Sequence, residues 1–72
     1  MTPDVQYAFA SAIKYHRKRA GLTQAELGKR TGVGGPAISL LESGARMPSF
    51  PMLDKLAKAL GLRVHVRLVE VR

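Results

Sequence analysis

The stretch TQAELGKRTGVGGPAISLLESG in the middle of this 72-residue chain constrains the fold more than any other segment. Thr23, followed three residues later by Glu26, forms the capping-box pattern that starts a helix. Gly32 can adopt the positive φ that ends one. Ile38 and Leu41, three residues apart, predict a second helix with one buried face. We therefore expect two short helices joined by a tight glycine turn, which is the helix-turn-helix unit.

The flanking segments predict two further helices. Thr2 can cap a first helix, with Pro3 in its first turn and Asp4 complementing its dipole. The apolar face of that helix is predicted to consist of residues spaced three and four apart, namely Val5, Phe9, Ala12, Ile13 and His16. A fourth helix begins after Ser49 and ends at Gly61, and its buried stripe is Leu53, Leu56, Ala57 and Leu60.

The last segment has a different period. Leu62, Val64, Val66 and Leu68 alternate with polar residues, which predicts a β-strand. A lone strand leaves its backbone groups unpaired, so we expect it to pair with a second chain. The alternative is a disordered or packed extended tail. These boundaries predict a helix-turn-helix domain over residues 1–61 and a dimerisation strand over residues 62–72.

The motif residues together resemble one known family. They are Gly21-Leu22-Thr23-Gln24, Glu26-Leu27, Gly32-Val33, Ile38-Ser39, Leu41-Glu42, Gly44, Pro48-Ser49 and Leu56-Ala57 through Leu60-Gly61. They look like the lambda-repressor-type, or xenobiotic-response-element, helix-turn-helix family. The resemblance implies an all-α fold of four to five helices. The strand after the last helix is similar to the HipB-type antitoxins, whose strands pair across a homodimer.

The resemblance also implies which residues meet double-stranded DNA. The second motif helix enters the major groove, which places Gly34, Gly35, Pro36, Ala37, Ser39 and Leu40 at or beside base-reading sites. Thr23 and Gln24 match phosphate-binding sites, and Arg46 can reach the backbone or a minor groove. Family members usually carry hydrogen-bonding side chains at several reading sites, where this chain has glycine, proline, alanine and leucine. Shape readout is therefore favoured over sequence readout.

A structural ion pair is also implied by the resemblance. Arg17 matches a family arginine that pairs with the glutamate of the recognition helix, which is Glu42 here. The net charge of +7 suits a polyanionic partner, although a basic surface can also serve solubility alone. The cluster of Lys14, Arg17, Lys18 and Arg19, and the pair Lys29 and Arg30, can add to this field or simply be solvated.

Other chemistries are not indicated by the sequence. The chain has no cysteine, and His16 and His65 lack the neighbours of a metal site, so no metal, cofactor or enzymatic activity is expected. Short apolar runs and the absence of a signal-peptide pattern favour the cytoplasm over a membrane. The predicted function is a transcriptional repressor, most simply the antitoxin and autoregulator of a toxin–antitoxin operon. The alternative is a protein-interaction module that chiefly neutralises a toxin and binds DNA weakly.

Overall fold

The computed structural model describes residues 5–71, apart from the side chain of residue 6, and contains four helices in that range. The helices are α1 (Val5–Arg19), α2 (Gln24–Thr31), α3 (Gly35–Glu42) and α4 (Phe50–Ala59). All four helices predicted from the sequence are confirmed. The capping role predicted for Thr2, Pro3 and Asp4 lies outside the described residues.

Helix α2 begins and ends as its sequence predicts. The Thr23 hydroxyl accepts a hydrogen bond from the Glu26 backbone N–H at 3.0 Å, and the Glu26 carboxylate accepts one from the Thr23 N–H at 2.8 Å. These two bonds form the capping box. At the other end Gly32 has φ 78°, the left-handed conformation that favours glycine. The turn into α3 is therefore fixed locally, before any tertiary contact is considered.

The core is formed where the helices converge. Its most deeply buried apolar side chains come from α2, α3 and α4, and they are Leu27, Ile38, Leu41 and Leu56. Ile13 of α1 joins this cluster, and Leu22, Val33, Met52, Ala59 and Leu60 pack around it. The buried stripe predicted for α4 is confirmed for Leu53, Leu56 and Ala57, while Leu60 is half-buried.

The buried face of α1 differs from the predicted one. Ala10, Ile13 and Arg17 are the buried residues of this helix, whereas Val5 and Ala12 are exposed. The predicted stripe is rotated because a polar residue, Arg17, takes a core-facing position that a hydrophobic pattern cannot reveal. Phe9 and His16 are half-buried and border a groove between α1 and α4.

The C-terminal segment forms no strand within the described residues, so the predicted strand is not confirmed. In a single chain the segment has no ladder partner, which is the physical reason that strand pairing cannot form there. The backbone N–H of Leu62 donates to the Ala57 carbonyl at 2.7 Å and ties the segment to α4. Beyond it Val64 is half-buried, whereas Val66 is 54% exposed and Leu68 95% exposed.

Candidate nucleic-acid interface

Helix α3 presents a short outer surface that is almost entirely apolar. Ile38 and Leu41 turn inward and are buried. Pro36, Ser39 and Leu40 are exposed, and Ala37 is half-buried. The exposed fraction of Leu40 is 44%, which confirms that this leucine points away from the core. The outer surface can therefore contact methyl groups and sugars, with the Ser39 hydroxyl as its polar group.

The N-terminus of α3 is pressed tightly against α2 through glycines. A Cβ atom added to Gly28 would overlap the backbone of Gly34 and Gly35, and one added to Gly35 would lie 3.2 Å from the Cα of Ala25. Gly34 has φ 89° and precedes the helix without a side-chain cap. The position predicted to read bases, Gly35, therefore lies against α2, where it acts in helix packing.

The loop after α3 carries Arg46 and is held by several contacts. The Leu40 carbonyl accepts hydrogen bonds from the backbone N–H of Ala45 at 3.1 Å and of Arg46 at 3.3 Å. It also accepts one from the Ser43 hydroxyl at 3.0 Å. Leu40 and Arg46 are thus fixed beside each other, with the Arg46 side chain exposed.

The two predicted phosphate-binding residues stand at the start of α2. The Thr23 side chain is exposed and occupied as an acceptor in the capping box. Its hydroxyl hydrogen remains able to donate. Gln24 is half-buried, and its side-chain nitrogen donates to Glu42 Oε1 at 3.1 Å. The sequence did not predict this bond between Gln24 and Glu42, because it joins two helices and follows no local pattern.

The Arg17–Glu42 pair implied by the resemblance is present. Arg17 Nε donates to Glu42 Oε2 at 2.5 Å and Nη2 to Oε1 at 3.0 Å, a bidentate arrangement. Arg17 Nη1 also donates to the Leu22 carbonyl at 2.7 Å. The hydrogen bond to Glu42 raises the pKa of Arg17 above its ordinary value, against the opposing effect of burial. The pair locks α1 to the end of α3.

Comparison with known proteins identifies the family. A family model described as helix-turn-helix matches residues 13–66, three quarters of the chain. The chain belongs to the lambda-repressor-type helix-turn-helix family. Its members are DNA-binding transcriptional regulators, and this helix-turn-helix protein is a regulator and not an enzyme.

Several curated relatives are described as HTH-type transcriptional regulators. An HTH-type transcriptional regulator of Methanothermobacter thermautotrophicus is 46% identical over 54 residues, which cover 75% of this chain and 77% of the relative. One from Sinorhizobium fredii is 45% identical over 66 residues, covering 92% and 84%. A third, from Mycobacterium tuberculosis, is 39% identical over 62 residues, and the match covers 86% of this chain but only 43% of the relative.

Two solved structures share the fold of this helix-turn-helix protein. The clp gene regulator ClgR from C. glutamicum superposes with a TM-score of 0.83 at 30% identity, covering 89% of this chain and 82% of that one. HipB, in its complex with the O2 20-mer, superposes with a TM-score of 0.76 at 26% identity, covering 97% of both chains. The second likeness supports the HipB-like subgroup.

The structure also brings together residues that the sequence analysis treated separately. His16 and His65, far apart in the chain, both line the groove between α1, α4 and the C-terminal segment. Its cavity volume is about 180 Å³, and its other lining residues include Phe9, Ala12, Leu53, Leu60, Leu62 and Val64. Over residues 5–71 no group of three or more potential metal ligands converges, and no helix there has the length and hydropathy of a membrane span.

Proposed function

We propose that this helix-turn-helix protein is the repressor of its own operon and the antitoxin of a toxin–antitoxin pair. The observation that carries the DNA-binding part is the outer face of α3. It is exposed and flanked by Gln24 and Arg46, and its one acidic side chain, Glu42 at the end of the helix, is buried against Arg17. The antitoxin part is supported by the likeness to HipB along 97% of the chain. The expected cytoplasmic location belongs to this proposal, because a repressor must share the compartment of its DNA.

The contacts divide into positioning and reading contacts. Thr23, Gln24 and Arg46 would hold phosphates, together with the N–H groups of Gly34 and Gly35 at the start of α3. Pro36, Ala37 and Leu40 would contact thymine methyls or sugars. Ser39 would supply the side-chain hydrogen bond to a base edge. We expect weak base discrimination and a larger share of shape readout.

Binding to its own promoter tests this proposal directly. We expect footprinting on the DNA upstream of its gene to protect a site at nanomolar to micromolar protein, and a Leu40→Ala variant to retain the footprint at higher concentration. A scrambled duplex of equal length is the control. Equal affinity for the promoter and the scrambled duplex would contradict operator recognition, while leaving general DNA binding intact.

We propose further that the protein acts as a homodimer joined through residues 62–72. The C-terminal segment carries large apolar side chains that one chain leaves uncovered, and Leu68 and Val71 are 95% and 91% exposed. The groove formed by Phe9, Leu53 and Val64 lies beside it. Pairing of two such segments would satisfy their backbone groups and cover this apolar surface.

Sedimentation of C-terminal variants tests the dimer. Truncation after Gly61 removes the whole segment. Leu68→Asp places a charge on the face that carries the alternating apolar side chains, and it leaves the contact between Leu62 and α4 in place. Both should sediment as monomers, because a buried unpaired carboxylate would oppose pairing. Arg67→Ser, on the opposite face of the predicted strand, should remain dimeric. A full dimer in the truncated protein would refute the proposed role of the segment.

The apolar surface of α3 also favours a second candidate function, in which the protein chiefly holds a toxin and binds DNA weakly. Its discriminating test is co-purification with the product of the adjacent gene. Stable co-purification together with promoter affinity no better than that for scrambled DNA would favour this function over repression. Tight promoter binding without co-purification would favour the repressor.

A further inference from the structure

The carboxylate of Glu42 connects three parts of the motif. Its Oε2 accepts from Arg17 Nε, and its Oε1 accepts from both Arg17 Nη2 at 3.0 Å and Gln24 Nε2 at 3.1 Å. The Glu42 side chain is only 3% exposed and that of Arg17 is 10% exposed. The last residue of α3 is thereby bonded to the first residue of α2 as well as to α1.

The bond from Gln24 to Glu42 fixes the position and orientation of the Gln24 side-chain amide. The amide nitrogen has two N–H donors and the amide oxygen has none. Glu42 accepts one N–H, so the nitrogen is held toward the carboxylate and its second N–H stays available. A DNA phosphate can only accept hydrogen bonds, so this second N–H is the donor that the held amide can offer it, whereas turning the amide over would place its oxygen against the Glu42 carboxylate. Glu42 thus holds the Gln24 side chain in one conformation and leaves one N–H donor for the DNA backbone.

Arg17 holds the Glu42 carboxylate in the position from which it accepts the Gln24 hydrogen bond. Its two bonds to the carboxylate fix the position of both oxygens, and its third bond, to the Leu22 carbonyl, fixes the guanidinium itself just before α2. The positive charge also offsets the carboxylate, which would otherwise repel a phosphate nearby.

We propose that Glu42, held by Arg17, is a positioning residue for DNA binding that acts through Gln24. This goes beyond locking α1 to α3, which the ion pair does without Gln24. It rests on the proposed function, in which Gln24 donates to a DNA phosphate. The consequence is an energetic coupling between Glu42 and Gln24 in DNA affinity, separate from any effect on folding.

A double-mutant cycle tests the coupling. The probe is a fluorescently labelled duplex of mixed sequence at low salt, because a phosphate contact does not depend on sequence. Gln24→Ala and Glu42→Gln should each weaken binding by about two- to tenfold, the effect of one hydrogen bond. The double variant should bind no more weakly than Gln24→Ala alone. Independent losses that multiply, or unchanged affinity in Glu42→Gln, would overturn the proposal.

Control variants separate this coupling from stability. Affinities are corrected for the folded fraction from thermal melts, and Ser49→Ala, which removes the cap of α4, lowers stability far from Gln24 in sequence and should leave the corrected affinity unchanged. If Glu42→Gln does not fold, Glu42→Asp keeps the charge for Arg17 and withdraws the oxygen from Gln24. The same non-multiplying loss is expected, and a multiplying one overturns the proposal. A wild-type protein that does not bind the duplex at all would instead refute the proposed DNA binding.

Discussion

At the scale of single residues, Leu40 is the side chain whose exposure most needs a functional reason. A leucine 44% exposed on the outer face of α3 contributes little to the core. We expect Leu40→Ala to change the free energy of unfolding by no more than about 0.5 kcal/mol. It should weaken operator binding by about 1 kcal/mol, the lower range for one base contact.

The contact assigned to Leu40 can be checked from the DNA side. Replacing the contacted thymine by uracil removes only the methyl group, so it should weaken wild-type binding as the mutation does and have no further effect on Leu40→Ala. A sharp fall in melting temperature of Leu40→Ala, with operator selectivity kept by the folded fraction, would instead place this leucine in the core.

A second prediction at this scale concerns Glu26 and the dependence of stability on pH. The hydrogen bond that the Thr23 backbone N–H donates to the Glu26 carboxylate holds the pKa of Glu26 below its ordinary value. A carboxylate whose pKa is lowered by folding stabilises the native state above its unfolded pKa, and this contribution is lost as the pH falls through the lowered value. Glu26→Gln should therefore flatten the acid side of the stability profile measured by denaturant unfolding. An unchanged acid dependence would show that the capping box does not form in solution.

At the scale of elements, the packing of α2 on α3 depends on Gly28. In an exposed helix, replacing glycine with alanine stabilises by up to about 1 kcal/mol. Here the added methyl would overlap the backbone of the turn, so we expect Gly28→Ala to destabilise the protein. Lys29→Ala, on the exposed side of the same helix, is the matched control and should be nearly neutral. Chemical denaturation of both variants decides the sign, and a more stable Gly28→Ala would contradict the close packing.

The same scale shows what the sequence could and could not predict. The four helices followed from caps, glycines and apolar spacing, because these signals are local. The buried face of α1 was predicted only in part: Ile13 is buried as expected, but apolar spacing alone omits Arg17, which is buried by its bond to Glu42 across 25 residues. Likewise Gly35 was placed at a reading position by likeness, whereas its contact with Ala25 depends on how closely two helices approach.

In the candidate site, too, the features set by local spacing were predictable and the contacts between helices were not. The outward positions of Pro36, Ser39 and Leu40 follow from helical spacing and were predictable, and Arg46 is exposed in the loop that follows. The bond between Gln24 and Glu42 was not, because it joins side chains from different helices. The predicted strand remains a prediction about two chains, since alternation signals an exposed apolar edge without identifying what covers it.

At the scale of the whole molecule, a charge of +7 on 72 residues makes DNA affinity depend on salt. Neutralised phosphates release counterions, and the slope of log K against log salt is about −0.9 per contact. The magnitude of this slope should fall by about 1 in Arg46→Ala, a charged phosphate contact. Gln24→Ala should lower affinity but leave the slope unchanged, because the amide is neutral.

The central claim, that DNA lies against the start of α2 and the loop after α3, is tested most directly by this salt titration on the wild type, Arg46→Ala and Lys58→Ala. Lys58→Ala is the control of equal charge, since Lys58 is exposed on α4 and paired with Asp54 at 3.0 Å. We predict a steep slope in the wild type and in Lys58→Ala, with a reduced slope only in Arg46→Ala. A flat wild-type dependence, or identical slopes for Arg46→Ala and Lys58→Ala, would contradict the claim.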